Sequence, residues 1–402
     1  MIFFHPNSAV TALGGAEKRL IETLKNFCAK DRLEITILES TPSLLHDTKM
    51  RLIPHSVSPS FHGKGWLSTY LGWSAWIAKA TFRNFSLARS KKPDVILVSN
   101  NTLPSLVSGH LARHIFHRPT CVIVHHLDSP LSSSNLNTHS LYNSYRKIGY
   151  ARLVSLAKTT AFYITLPLLN KAEAIITVSN STARVLKNTG IRSAKISVSG
   201  NAVDLKQISE AKPSSDSRIF DGVFVGRISA EKGIFDLLKI WRNIIRLRKD
   251  AKLLIVGSGL ELPALKDRVS AYGLKNNVTI KGSCTDEELY GLLKSSRVFV
   301  FPSLFEGWGI AVAEALACGT PVVAYDIPAL REVFGSCKSV CLLPVGDIGG
   351  MAQAVLKVLN CKNEKKTEDA SAYAKRFEWS RVAEKDLEAI ARAAETSSPK
   401  RF

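Results

Sequence analysis

Eleven short apolar runs punctuate the chain, each bounded by turn residues: Met1–His5, Leu33–Leu38, Asp94–Val98, Cys121–His125, Ala174–Val178, Lys195–Val198, Gly222–Val225, Lys252–Val256, Asn277–Lys281, Val298–Phe301 and Pro321–Tyr325. Many are near-continuous Val, Ile, Leu and Phe, the pattern of parallel strands covered on both faces. Between them lie segments of helical period. Ala16, Leu20, Leu24 and Phe27 mark one apolar face after the first run, and Phe235, Leu238 and Trp241 mark another after the seventh. Strands alternating with helices predict an α/β chain with doubly wound parallel sheets, and the material suffices for two.

The length of 402 residues, against roughly 150 per domain, fits two or three domains. The polar, Ser-rich stretch from Asp204 to Arg218, with Pro213, predicts the boundary. The expected division is 1–205, 206–376 and a C-terminal helix in 377–402 that packs back on the N-terminal domain. Hydrophobic residues at 45% and charged residues at 22% describe an ordinary globular composition. No run of 18 apolar residues occurs; Thr159–Asn170 is too short for a bilayer and carries Pro167. The start, MIFFHPNSAV, reads as a strand and not as a secretion signal. Seven cysteines without a C-x-x-C spacing fit reduced thiols and a cytoplasmic location.

Lys and Arg number 54 against 34 Asp and Glu, for a net charge of +20. Residues 51–200 hold 18 of the basic residues and only three acids, Asp94, Asp128 and Glu173, so +15 of the excess lies there. A field of that sign attracts anionic lipid, nucleic acid or phosphorylated substrates, and composition does not choose among them.

Three places carry candidate chemistry. Gly14 and Gly15 open a helix after the first strand, where glycine lets a ligand approach the backbone and unpaired N–H groups face an anion. Any strand-to-helix turn can look the same. In GVFVGRISAEKG, Gly226 and Arg227 end a strand and Lys232 opens a helix. An arginine fork and a lysine point charge above the carboxyl edge of a sheet suit a diphosphate, although single surface cations are usually just solvated. In FPSLFEGWGIAVAE, Glu306 and Glu314 flank Gly307, Trp308 and Gly309. Eight residues span roughly 12 Å of ideal helix, so the two carboxylates cannot grip one atom but could serve two ends of an extended ligand; a capping Glu and an exposed helix Glu are the plain alternative for each singly.

The segments GRISAEKG, IVGSG, VTIKGSCTDEELYGLLKSSRVFVFPS, EGWGIAVAE and ALACGTPVVAYDIPALREVF, preceded by GGAEKRL, IITVSNSTARVLK and VSGNAVD, resemble the retaining family-four glycosyltransferases in the family's order. The resemblance implies the GT-B fold, two Rossmann-like domains facing a central cleft. It implies that Arg227 and Lys232 hold the donor diphosphate and that Glu306 contacts the transferred sugar. Gly226, Gly307, Trp308, Gly309 and Ile310 would line sugar and phosphate with backbone, and Glu314 would bind the ribose. Gly14 and Gly15 would approach the diphosphate from the other domain. The active-site histidine position falls on His125 or His126. The co-substrate implied is a UDP- or GDP-sugar, with no other cofactor; there is no Asp-x-Asp motif and no metal is expected.

The N-terminal half would then receive a glycan or lipid-linked acceptor. WLSTYLGWSAWIAKATF sets Trp66, Tyr70, Trp73, Ile77 and Ala80 on one helical stripe with Trp76 alongside, followed by Lys79, Arg83, Arg89, Lys91 and Lys92. Aromatics beside cations suit an anionic membrane surface; a core-facing helix with surface lysines is the plain alternative. Neither first turn carries the Gly-x-Gly-x-x-Gly of a dinucleotide enzyme. A GT-B sugar-nucleotide epimerase, or a basic membrane- or nucleic-acid-binding protein without transferase activity, are the competing classes; no nucleic-acid partner is expected.

Overall fold

The computed structural model describes residues 2–5, 14–28, 33–39, 52–56, 66–127, 137–214, 219–361 and 364–395. The expected continuation of the first strand beyond His5, residues 215–218 of the polar boundary and the TSSPKRF end lie outside the described residues.

Thirteen strands among the described residues form two sheets. β1 (Ile2–His5), β2 (Ile35–Glu39), β3 (Leu52–Ser56), β4 (Val95–Val98), β5 (Thr120–Val124), β6 (Ala174–Thr177) and β7 (Ile196–Val198) make the first. β8 (Phe220–Val225), β9 (Leu253–Val256), β10 (Val278–Gly282), β11 (Ser296–Phe301), β12 (Val322–Tyr325) and β13 (Val340–Leu343) make the second. All pairs are parallel. Their orders are β3-β2-β1-β4-β5-β6-β7 and β10-β9-β8-β11-β12-β13. Each reverses direction of growth once, between β1 and β4 and between β8 and β11, and such switch points leave a crevice outside the strands' carboxyl ends.

Two strands escaped the sequence reading, and both are at sheet edges. β3 contains Pro54, paired to Ile37; proline cannot donate to a ladder on both sides and is tolerated at an edge. β13 is only half buried, with Cys341 exposed, so its apolar run is weak.

The chain divides into two compact units: 1–142, 156–201 and 379–402 form one, and 143–155 with 202–378 the other. The first packs Leu24, Phe27, Ile35, Ile37, Val95, Leu97, Ile123 and Ile176 against Ala383, Ala389, Ile390 and Ala393 of the helix Trp379–Glu395. The buried face of the helix Gly15–Cys28 is Arg19, Thr23, Leu24 and Phe27. Ala16, expected on that face, is replaced by a fully buried Arg19, which Asp386 neutralises through contacts of 2.9 Å. In the second unit the helix Ile234–Leu247 buries Ile234, Leu237, Leu238, Ile240, Trp241 and Ile244. Phe235 instead lies at the flank beneath the Arg268 guanidinium, 3.6 Å from the ring centre.

The helix Trp66–Ala88 inserts Trp76, Ala80 and Leu87 into a cluster with Ile96, Ala112 and Phe116. Trp76, set alongside the stripe by the sequence, is thus an anchor of the core. Phe82 and Phe85 of the same helix are 79% and 59% exposed, beside exposed Lys79 and Arg89. The side chains of Trp66, Tyr70 and Trp73 lie outside what is described. No described helix is long and apolar enough to cross a membrane.

Candidate active site

The second unit's switch point is built from two loops that lock together. After β8, Gly226 donates to the Val256 carbonyl at 3.1 Å and Ile228 to Ser258 at 2.8 Å. This close packing explains IVGSG: a Cβ on Gly257, whose φ is +137°, would lie 1.9 Å from the Gly226 oxygen. The chain then turns through a short 3-10 segment, Ala230–Lys232, to Gly233 at φ +67°, which opens the helix Ile234–Leu247. A Cβ there would sit 1.8 Å from the Pro302 carbonyl oxygen after β11. Only glycine lets the first loop rest on the second.

That approach brings side chains together. Leu304 N–H donates to the Glu231 carbonyl at 2.9 Å. Lys232 Nζ reaches Glu306 Oε1 at 2.6 Å, and Ser303 Oγ donates to the same oxygen at 2.8 Å. Both members of the ion pair are largely buried. Arg227 is 65% exposed and lies 3.9 Å from Glu231, a contact contributing little by itself in solvent. Its guanidinium is therefore available at the crevice mouth.

Past Glu306, Gly309 at φ +104° caps the helix Ile310–Ala317; a Cβ would meet Leu330 at 2.6 Å. Trp308 is 5% exposed, its ring edge-on to Phe334 and Phe377 at 5.5 and 4.9 Å. Its side chain thus fastens the loop. Glu314 is 5% exposed on the helix that follows, not the solvated residue a plain surface helix would carry. Two helix N-termini, at Gly233 and Gly309, thus stand at the same carboxyl edge as Lys232, and their partial positive charge favours an anion.

The first unit holds the other candidates. Gly14 N–H donates to Glu17 Oε2 at 2.9 Å, so a carboxylate from the helix's own first turn caps this tip. Gly15 begins the helix and is exposed. His125 follows β5 and directs Nε2 to the Ser99 carbonyl at 2.8 Å. A carbonyl only accepts, so the ring carries its proton on Nε2 and Nδ1 is the acceptor. Burial and the nearby Arg19 charge hold its pKa down to about 3, so the ring is neutral at physiological pH. Asn101 ties the pair, accepting from the His125 N–H at 3.3 Å and donating to the His126 carbonyl at 2.9 Å.

Ser303, Glu231 and Asn101 were missed by the sequence reading. Ser303 stands two residues past β11 in FPS, a usable signal; the others act through contacts that no spacing announces.

Chemically, the second unit offers two cations and two helix tips for a diphosphate, next to a carboxylate that can accept hydrogen bonds from hydroxyls. Residues 206–377 match the family of glycosyl transferases group 1, and residues 13–207 match glycosyltransferase family 4. The 2-deoxystreptamine N-acetyl-D-glucosaminyltransferase of Streptomyces fradiae is 25% identical over 70% of this chain and 66% of its own length. The chain thus spans about two thirds of that relative. The phosphatidyl-myo-inositol mannosyltransferase of Mycobacterium leprae is 32% identical over 40% of this chain and 43% of its own. Among solved structures, Anabaena HepE in complex with UDP and glucose superposes with a TM-score of 0.72 at 19% identity, covering 97% of this chain and 99% of that one. With both sheets in the expected order and both halves matched, the chain belongs to the family-four glycosyltransferases and has the GT-B fold.

Proposed function

We propose that this enzyme transfers a sugar from a UDP- or GDP-sugar to a glycan or lipid-linked acceptor with retention of configuration. In this reading the second unit binds the donor and the first the acceptor. The Lys232–Glu306 pair, 2.6 Å across the switch point, carries the proposal. As the C1–O bond lengthens, negative charge grows on the diphosphate; Lys232, Arg227 and the helix tips at Gly233 and Gly309 stabilise it. Lys232 is held until then by Glu306, which also faces the sugar hydroxyls. Gly226, Gly307, Trp308 and Ile310 line the donor with backbone, and Glu314 meets the ribose. No carboxylate is assigned as a covalent nucleophile, so the acceptor attacks from the leaving-group face and the departing phosphate helps take its proton. In the first unit this reading assigns Gly14, Gly15 and one of His125 and His126. Neutral His125 serves as an acceptor or polar wall and not as an acid.

Removing one well-placed electrostatic donor costs about 100- to 1000-fold in rate. Lys232→Ala is expected to lose that much kcat/KM while staying folded at the assay temperature, with a lower thermal midpoint because the largely buried Glu306 loses its counter-charge. Transfer near the wild-type rate would reject the assignment.

A cytoplasmic enzyme working against an anionic membrane face is the setting that Phe82, Phe85, Lys79 and Arg89 support, each surface cation adding about 1 kcal/mol. Sedimentation with phosphatidylserine vesicles is expected to fall with added salt and in Phe82→Ser/Phe85→Ser; no sedimentation at low salt would remove this part of the proposal.

A further inference from the structure

Residues 143–155 precede the second unit's main segment by almost fifty positions, yet they belong to that unit. The tie is Tyr150. Its main chain is fixed inside the segment: its N–H donates to the Tyr145 carbonyl at 3.2 Å, and its own carbonyl accepts from Arg146. Its ring lies edge-on to Tyr145, with centres 6.1 Å apart. Its hydroxyl donates to Oε2 of Glu231.

Glu231 is awkwardly placed for an anion site. It precedes Lys232 in sequence, its other oxygen is 3.9 Å from Arg227, and its side chain is 13% exposed. Left to rotate, this carboxylate would compete with a diphosphate for both cations and repel it directly. Its backbone carbonyl, meanwhile, is committed to Leu304 and Ser303, so the residue cannot move away as a whole. The side chain has to be restrained in place.

We propose that Tyr150 is a positioning residue for the donor: its phenol holds the Glu231 carboxylate aside so that Arg227 and Lys232 face the diphosphate. This rests on the donor site assigned above. A hydrogen bond to a charged acceptor is strong enough for the task and oriented enough to select one rotamer. The segment before the helix Arg152–Lys171 thereby enters the donor site through one side chain, although nothing in its sequence marks it.

The test is calorimetric titration of the full chain with UDP, GDP and their monophosphates. Tyr150→Phe keeps the ring and its contact with Tyr145, so the fold is not at stake. It is expected to weaken the preferred diphosphate about tenfold, to leave the matching monophosphate within twofold, and to raise donor KM more than it lowers kcat. Adding Glu231→Gln to Tyr150→Phe is expected to restore diphosphate affinity, because the competing charge is gone. Equal weakening of mono- and diphosphate, or no restoration in the double variant, would overturn the role and leave Tyr150 a packing residue. Lys232→Ala separates the two levels: if it binds diphosphate as tightly as wild type, the donor-site assignment falls and takes this inference with it. If Lys232→Ala weakens binding and Tyr150→Phe does not, the inference alone fails.

Discussion

Lys232 and Glu306 are 74 positions apart and share a contact of 2.6 Å, while His125 keeps its proton on the inward nitrogen. Each case shows a side chain whose chemistry is set by what faces it. For His125 the consequence is measurable. Its pKa in the unfolded chain is near 6.5 and in the fold about 3, so as pH falls the unfolded chain takes up this proton first. The stability it contributes is whole above pH 6.5 and is lost toward pH 3, at up to about 1.4 kcal/mol per pH unit. His125→Gln is expected to flatten that limb in urea titrations between pH 6.5 and 4.5; equal slopes would remove the assignment. The identity of the candidate cations, glutamates and histidines was legible because their residue types and order are distinctive. That Glu17 caps the Gly14 amide was not, since a Glu three positions on serves a helix start as readily as a ligand.

At the scale of elements, apolar runs predicted the interior strands and the edge strands β7 and β10, and failed only for β3, which carries Pro54, and β13, which is half buried with Cys341 exposed; an edge position tolerates both departures. The glycines behave in the same graded way. Gly-rich turns could be seen in the sequence, but only the packed loops show which glycine is indispensable. Gly233 is one: it combines φ +67° with a would-be Cβ 1.8 Å from the Pro302 oxygen. Gly233→Ala is expected to destabilise by at least 1–3 kcal/mol, from the positive φ alone about 1 and more from the clash. It should also lower donor affinity, because the Lys232 and Glu306 loops can no longer rest together. By contrast Gly273, with a similar φ of +68° and open space around it, is expected to cost only the conformational part. Paired denaturation curves for the two alanine variants check the difference.

On the scale of the whole molecule, a buried ion pair ties together two stretches far apart in the sequence. Arg19 and Asp386, 367 positions apart, are both fully buried, and Arg19 also donates to Ser199 Oγ at 2.7 Å. Asp386→Asn leaves a buried guanidinium without its counter-charge and is expected to cost about 3–5 kcal/mol, while Arg19→Met/Asp386→Leu should cost much less. Urea midpoints of the single and double variants would show it, and equal losses would contradict it. Alternation of apolar runs with helical periods determined by itself that the chain makes two doubly wound parallel sheets, because burying both faces of a strand leaves few other solutions. The order of the family's motifs pointed to glycosyl transfer, because residue types recurring in that order can be read without knowing which loops pack together. Tertiary structure alone decided that Arg19 goes inside, that Trp76 anchors the core and that Tyr150 reaches Glu231. Each of these depends on a partner tens or hundreds of residues away, and the desolvation of a charge, or the seat of a ring, is settled only by what arrives opposite it.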